Sequence, residues 1–318
     1  MIYLLKSIFR AGYMKKIPVL VTFFNRPIIL EKLFAAIQNQ ENIELFFASD
    51  GARHKDDQKN VDQCWALVEK YFKKIDNSHK LIRPKNLGCK NAMIGNMDWF
   101  FDLNEYGIVL EDDCIPNADF FKVVGGALKE VLPDSNYISV SGSDYLPANL
   151  NSNAGQFRES IFPQVWGWGS WSRKWKLYEP AISDRSIIVD SASEELYGKD
   201  YFLDKIYFKS IFGMRFREID LGQIDTWDYS LIATAWRHGL KSLQVNGNLV
   251  VNSGFGQLAT HTKSAAPDWV PRNYSKAVNY KHTIPGFGLA ADRWAAKNVY
   301  NCNIVEVVKN EVKKVVRR

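Results

Sequence analysis

Residues 106–113 read Tyr-Gly-Ile-Val-Leu-Glu-Asp-Asp. The apolar run Tyr106–Leu110 predicts a short buried strand, and Glu111, Asp112 and Asp113 follow at its carboxyl end. Three adjacent carboxylates repel one another unless something compensates them. A divalent ion does so, and oxygen ligands suit Mg²⁺ or Mn²⁺, which readily share their coordination with substrate phosphates. The competing reading is a solvated acidic turn before Ile115-Pro116.

The flanking sequence places this strand in a repeating pattern. Ile17–Phe24 (IPVLVTFF) is a β-branched run ended by Asn25-Arg26-Pro27, and Pro27 sits where helices begin. Ile28–Gln38 has helical spacing, Ile43–Ser49 reads as a second strand closed by Asp50-Gly51, and Asp57–Lys73 is helical. Lys80–Arg83 predicts a third strand, Asn86-Leu87-Gly88 a turn, and Asn91–Phe101 a helix. Strands alternating with helices predict an α/β fold with a mostly parallel central sheet flanked by helices. Ligands in such sheets bind beyond the carboxyl ends of the strands. Arg26, Asp50 and the acidic triplet should therefore meet at one edge.

Beyond residue 136 the pattern changes. Asn136–Val140 and Lys241–Val251 read as strands, and Ile182–Arg217 as mostly helical. Between them, Val165–Trp171 alternates tryptophan and glycine. Glycine lets backbone approach a ligand closely, and indole faces stack on the apolar faces of sugars. Trp166, Trp168 and Trp171 are thus candidates for an acceptor wall, or else they are core. Asp225 and Asp228 flank Trp227 ahead of an apolar-periodic segment. Either one suits a general base, and either also suits a helix cap. His261, in a glycine-containing loop, is a candidate metal or phosphate ligand, or a structural histidine.

Composition sets the limits. The chain has 318 residues, 46% hydrophobic and 24% charged, enough for a sizeable core. Its formal charge is +6, compatible with anionic ligands such as nucleotides. The widely spaced Cys64, Cys89, Cys114 and Cys302 suggest reduced thiols in a cytoplasmic protein. Nothing approaches the ~20 apolar residues of a membrane span. Ile304–Arg318 reads as a basic amphipathic helix that either docks on the protein or lies peripherally on the inner face of an anionic membrane. Phosphate-loop, dinucleotide, zinc-protease and serine-hydrolase motifs are absent. Aromatic and basic residues do not interleave in a nucleic-acid-binding pattern.

Seven segments, PVLVTFFNRP, FFASDG, YGIVLEDDCIPNADFF, ISVSGSD, VWGWGSWSRKW, DTWDYS and NLVVNSGFGQLATHT, run in order over roughly residues 15–265. In wording and order they resemble the GT-A glycosyltransferases, most closely the inverting N-acetylglucosaminyltransferase I group and its bacterial relatives. The resemblance implies a Rossmann-like fold and transfer of a hexosyl or N-acetylhexosaminyl group from a nucleotide sugar, UDP-linked, to a carbohydrate or lipid-linked glycan. It implies that Arg26 and Asp50 hold the nucleotide and that Glu111 and Asp112 lie near ribose and donor sugar. It further implies that Asp113, with His261, ligates Mn²⁺ or Mg²⁺, and that Asp228 is the base. The expected organisation is an extension (1–14), one catalytic domain (15–285, its nucleotide half 15–115 and acceptor half 116–285) and a basic tail (286–318). A polysaccharide, lipopolysaccharide or capsule is the expected product. The competing functions are a glycoside hydrolase, which needs paired carboxylates and water, and a non-catalytic carbohydrate-binding protein.

Overall fold

The computed structural model describes residues 16–73, 75–131, 135–147, 150, 157–255, 265–275 and 288–316. His261 and the extension 1–14 lie outside the described residues.

The chain forms β1 (Ile17–Phe23), α1 (Pro27–Ile37), β2 (Ile43–Ser49), α2 (Lys55–Tyr71), β3 (Lys80–Ile82), α3 (Cys89–Leu103), β4 (Tyr106–Glu111), β5 (Cys114–Pro116) and α4 (Phe120–Glu130). It continues through β6 (Tyr137–Ser141), β7 (Phe157–Ser160), β8 (Trp168–Trp171), the single turn α5 (Ser172–Trp175), α6 (Arg185–Tyr197), α7 (Phe202–Asp220) and α8 (Asp228–Arg237). The last elements are β9 (Lys241–Val245), β10 (Val250–Asn252), α9 (Leu289–Asn298) and α10 (Ile304–Val316).

Eight strands make one sheet in the order β3-β2-β1-β4-β8-β6-β9-β7. Only β8 and β7 run against the rest, since each pairs antiparallel with its neighbours. This is a Rossmann-like α/β architecture, a mostly parallel sheet flanked by helices. Strand alternation divides the core in two. Leu20 of β1 and Val109 of β4 point to one side, with Met93, Met97 and Phe100 of α3 and the apolar faces of α6, α7 and α8. Val19, Val21, Ile108 and Leu110 point to the other, with Leu30, Leu33 and Phe34 of α1 and Phe120 and Val124 of α4. Covered on both faces, β1 is buried along its length, which is why its sequence is continuously apolar.

Three expectations change. First, the Trp/Gly block forms β8, a strand in mid-sheet between β4 and β6. Gly169 allows this, because a Cβ there would sit 2.8 Å from the carbonyl oxygen of Gly107 on β4. Trp168 and Trp171, three residues apart on a strand, project to opposite faces and are fully buried, one in each core layer. They are packing residues and offer no wall to an acceptor. Second, Lys241–Val251 is two strands. Gly247, at φ 114°, turns the chain between them. The second strand, β10, pairs antiparallel with β5, setting Asn252 opposite Cys114. Third, the segment from 286 is not simply a tail. α9 buries Ala291, Asp292, Ala295 and Ala296, and Asp292 accepts hydrogen bonds from Ser160 Oγ (2.6 Å) and the Ile161 amide (2.8 Å) beside β7. α10 packs along α7 but leaves Ile304, Val305, Val308 and Val312 exposed. Among the described residues no helix is long and apolar enough to cross a membrane. All four cysteines are free thiols.

Candidate active site

The carboxyl ends of β1, β2 and β4, the start of α3 and the segments around Trp166, Asp225 and Asn252 enclose a cleft of about 430 Å³. Its floor follows from register. Thr22 pairs with Glu111 across β1 and β4, and both lie on the face covered by α3. Cys89, Ala92, Met93 and Asn96 of α3 line the same cleft, a stripe at helical spacing. A shallower depression of about 700 Å³ around residues 181–190 has most of its charges paired, Arg185 with Asp220 and Lys209 with Asp190.

Arg26 immediately precedes α1, where Pro27 takes the first helical position. Its guanidinium donates to Asp112 through Nε (3.0 Å to Oδ2) and Nη2, and to Asp113 Oδ2 (2.9 Å). Burial works against its charge, but the two carboxylates outweigh this and raise its pKa. Asp112 is buried, and burial pushes it up to about 6 against the pull of Arg26. Glu111 fares differently. Its side chain makes no hydrogen bond among the described residues, and burial, then repulsion by Asp113 and Asp112, pushes it up to about 8. Burial and its acidic neighbours therefore both favour the neutral form of Glu111 on the cleft floor.

Asp113 turns towards the β5–β10 ribbon. Asn252 Nδ2 donates to its Oδ1 (3.4 Å), and a side chain at Gly254 would strike its Oδ2. The triplet thus splits into three environments, an underbonded Glu111, an ion-paired Asp112 and an Asp113 between Arg26 and Asn252. Among the described residues no group of three or more His, Cys, Asp or Glu is gathered as a metal cage. The oxygens on offer, from Asp113, Asn252 and Glu111, are hard donors in a cleft with room for a ligand. They fit a Mg²⁺ or Mn²⁺ ion completed by phosphate oxygens and water, not one enclosed by protein alone.

Asp50 is placed at the edge, as its position after β2 requires, but its carboxylate is already occupied. It accepts from the amides of Gly51 (2.9 Å), Leu87 (2.9 Å) and Gly88 (3.1 Å) and from Asn86 Nδ2 (2.8 Å). Asp50 thereby shapes the 86–88 turn leading into α3 while lining the cleft. Asp225 likewise accepts from the amides of Cys89 (2.9 Å) and Lys90 (3.0 Å), capping α3 from 135 residues away in the chain. This is the cap reading, applied to a helix other than its own, and its oxygens are committed to it. Asp228 opens α8 and is half-buried. Burial raises its pKa, while the Thr226 hydroxyl and the Tyr229 amide (2.9 Å) hold it in place. It lies close enough to the cleft for its charge to be felt by the lining residues Glu111 and Cys89.

Of the three tryptophans, Trp166 alone faces the cleft. It stacks on Trp269 (centroids 5.7 Å apart, 16° between planes) and meets Tyr145 and Phe255 edge-on. Trp269, Tyr145 and Phe255 carry no shared spacing, so nothing in the sequence joined them to Trp166. Asn96 and Asn252 were missed for a similar reason: a single asparagine in a helix or late strand has no signature.

No protein-family model matches the chain, and no curated protein matches it. Among solved structures, the chain is similar to the apo structure of a bifunctional glycosyltransferase, WbbM, at 10% sequence identity and a TM-score of 0.31. The similarity covers 71% of this chain and 38% of that one, so the chain spans well under half the length of that protein.

Proposed function

We propose that the chain is a GT-A glycosyltransferase that moves a sugar from a nucleotide diphosphate, UDP in the first instance, to a carbohydrate hydroxyl with inversion. The observation that carries this reading is the cleft itself. It gathers the carboxyl ends of β1, β2 and β4, an acidic cluster half-compensated by one arginine, and an aromatic wall at Trp166. Open α/β sheets place ligands at this edge.

In this reading Asp113, with Asn252 beside it, would hold Mn²⁺ or Mg²⁺. When bound, such an ion supplies charge neutralisation for the departing diphosphate. Arg26 holds Asp112 and Asp113 in place and adds positive charge at the same end. Asp228, raised in pKa by burial and oriented by Thr226 and Tyr229, takes the proton of the incoming hydroxyl. The Trp166–Trp269 stack receives the apolar face of the acceptor sugar. A hexose or N-acetylhexosamine is the donor class, and a cell-surface polysaccharide, lipopolysaccharide or capsule, lipid-linked or free, is the product class.

Calorimetric titration with UDP, with and without Mn²⁺, tests the reading. Metal-dependent binding, lost in Asp113→Ala, is the expected result. Absence of binding by UDP, GDP and dTDP in both conditions would leave a hydrolase or a carbohydrate-binding protein as the better account.

A further inference from the structure

Asn96 lies two turns into α3, at the inner end of the stripe that lines the cleft. It is 2% exposed, and its Oδ1 is buried with no hydrogen-bond partner among the described residues. No hydrogen bond of its amide nitrogen is formed there either. A buried amide oxygen without a partner costs about 1–3 kcal/mol, which a purely structural position would not retain when leucine or methionine fills the same space. Its neighbours on the stripe, Ala92 and Met93, are apolar and interchangeable by that standard.

We propose that the Asn96 carboxamide is a donor-sugar recognition group, bonding a hydroxyl of the transferred sugar. This rests on the glycosyltransferase reading and deepens it. The choice of ligand group follows from the charges around the cleft. A phosphate oxygen is an unsuitable partner for Oδ1, which would repel it, and the acids Glu111, Asp112 and Asp113 line the same cleft. A hydroxyl suits a carboxamide because it both donates and accepts, so either orientation of the amide is satisfied. Position separates the sugar from the base. Phe24 and Arg53 close one part of the cleft, where the guanidinium lies 5.1 Å over the Phe24 ring. The α3 stripe instead begins under Asp225 and continues on the sheet face that bears Glu111, where the charge of Asp228, the proposed base, is felt. The residue is thus on the side where the transferred sugar meets its acceptor.

The experiment compares UDP with UDP-glucose, UDP-galactose and UDP-N-acetylglucosamine by calorimetry in the presence of Mn²⁺, for the wild type, Asn96→Leu and Asn96→Ala. The expected result is that UDP binds all three proteins alike. The sugar nucleotide favoured by the wild type should lose about 10-fold in affinity in both variants, the worth of one hydrogen bond to a buried partner. Thermal melting supplies the second readout. Asn96→Leu, which removes an unpartnered polar group, should melt at or above the wild-type temperature. If the variants keep the wild-type preference for sugar nucleotide over UDP, the inference falls while the glycosyltransferase reading stands. Equal loss of UDP and UDP-sugar would move the contact to the nucleotide and overturn it as stated. A destabilised Asn96→Leu with unchanged binding would make Asn96 structural. A wild type that binds neither UDP nor any UDP-sugar would overturn the parent reading and this one with it.

Discussion

The molecule contains two buried clusters in which one arginine faces several acids, and they are built differently. On one side of the sheet Arg158 faces Asp144 (3.4 Å) and Asp292 (4.0 Å), with side-chain exposures of 8%, 2% and 1%. Asp144 also accepts from the amides of Leu146 and Gly247, and Asp292 from Ser160 and Ile161. At the carboxyl ends of β1 and β4 Arg26 faces Asp112 and Asp113, at 17%, 4% and 13%, and the Glu111 side chain has no hydrogen bond among the described residues. The first cluster is closed, and each acid is satisfied by the fold. The second is open to a cleft, and its donors all go to Asp112 and Asp113, with none reaching the Glu111 side chain among the described residues. A closed network specifies structure, whereas an open one keeps part of its charge for a ligand.

The comparison can be broken most sharply at Asp113. Asp113→Ala should weaken Mn²⁺-dependent UDP binding by about 100-fold or more. Gly254→Ala should act in the same direction, because its methyl group would displace the Asp113 carboxylate. Loss of binding by neither variant would remove the open cluster from ligand chemistry. Next in size, Asp228→Asn should leave UDP affinity within about 2-fold and cut turnover by about 100-fold or more, measured as UDP release with acceptor present. An active Asp228→Asn enzyme would place the base elsewhere.

The closed cluster should respond in stability alone. Asp292→Ala leaves Ser160 and the Ile161 amide without their acceptor and should cost about 3 kcal/mol in denaturant unfolding, with UDP affinity of the folded protein unchanged. Its pH behaviour is also specific. Burial raises Asp292 from 3.8 to about 6, despite Arg158. The folded state then binds more protons than the unfolded state between those values. The contribution is fully present below about 3.8 and is lost as pH rises through about 6. Asp292→Asn should flatten the stability profile in that window. The smallest effect belongs to Glu111→Gln, which removes a buried carboxyl repelled by its neighbours. Without divalent ions it should raise the thermal midpoint by about 2 °C, and a lower midpoint would mean that Glu111 is structurally satisfied.

Much of the nucleotide-side half was legible because its signals are local. β2 spans Ile43–Ser49 as its apolar run predicts, and β1 and β4 end within one residue of expectation. Each of those strands places its next polar residue at the edge, so the meeting of Arg26, Asp50 and the triplet could be anticipated. What each acid does there could not. Asp50 read as a nucleotide contact and Asp225 as a general base or a helix cap, and both accept from backbone amides around the start of α3. Those amides lie at least 37 residues away in the chain, and no local pattern reports them. The Trp/Gly block misled for a related reason. Glycine usually weakens a strand, but here Gly169 and Gly107 lie opposite each other's strand, where a side chain would collide.

The sequence by itself determined the alternation of strands and helices, the edge at which chemistry is placed, and the clustering of acid there. Periodicity and turn chemistry act over a few residues and need no partner to be read. Only the tertiary structure decided which of those acids stay available. It paired Arg26 with Asp112 and Asp113, used Asp50 to shape the 86–88 turn and Asp225 to cap α3, buried Trp168 and Trp171 on opposite faces of β8, and left the Glu111 and Asn96 side chains without hydrogen bonds among the described residues. A side chain's availability depends on whether a donor from a distant part of the chain reaches it first, and that is settled only when the sheet and helices pack.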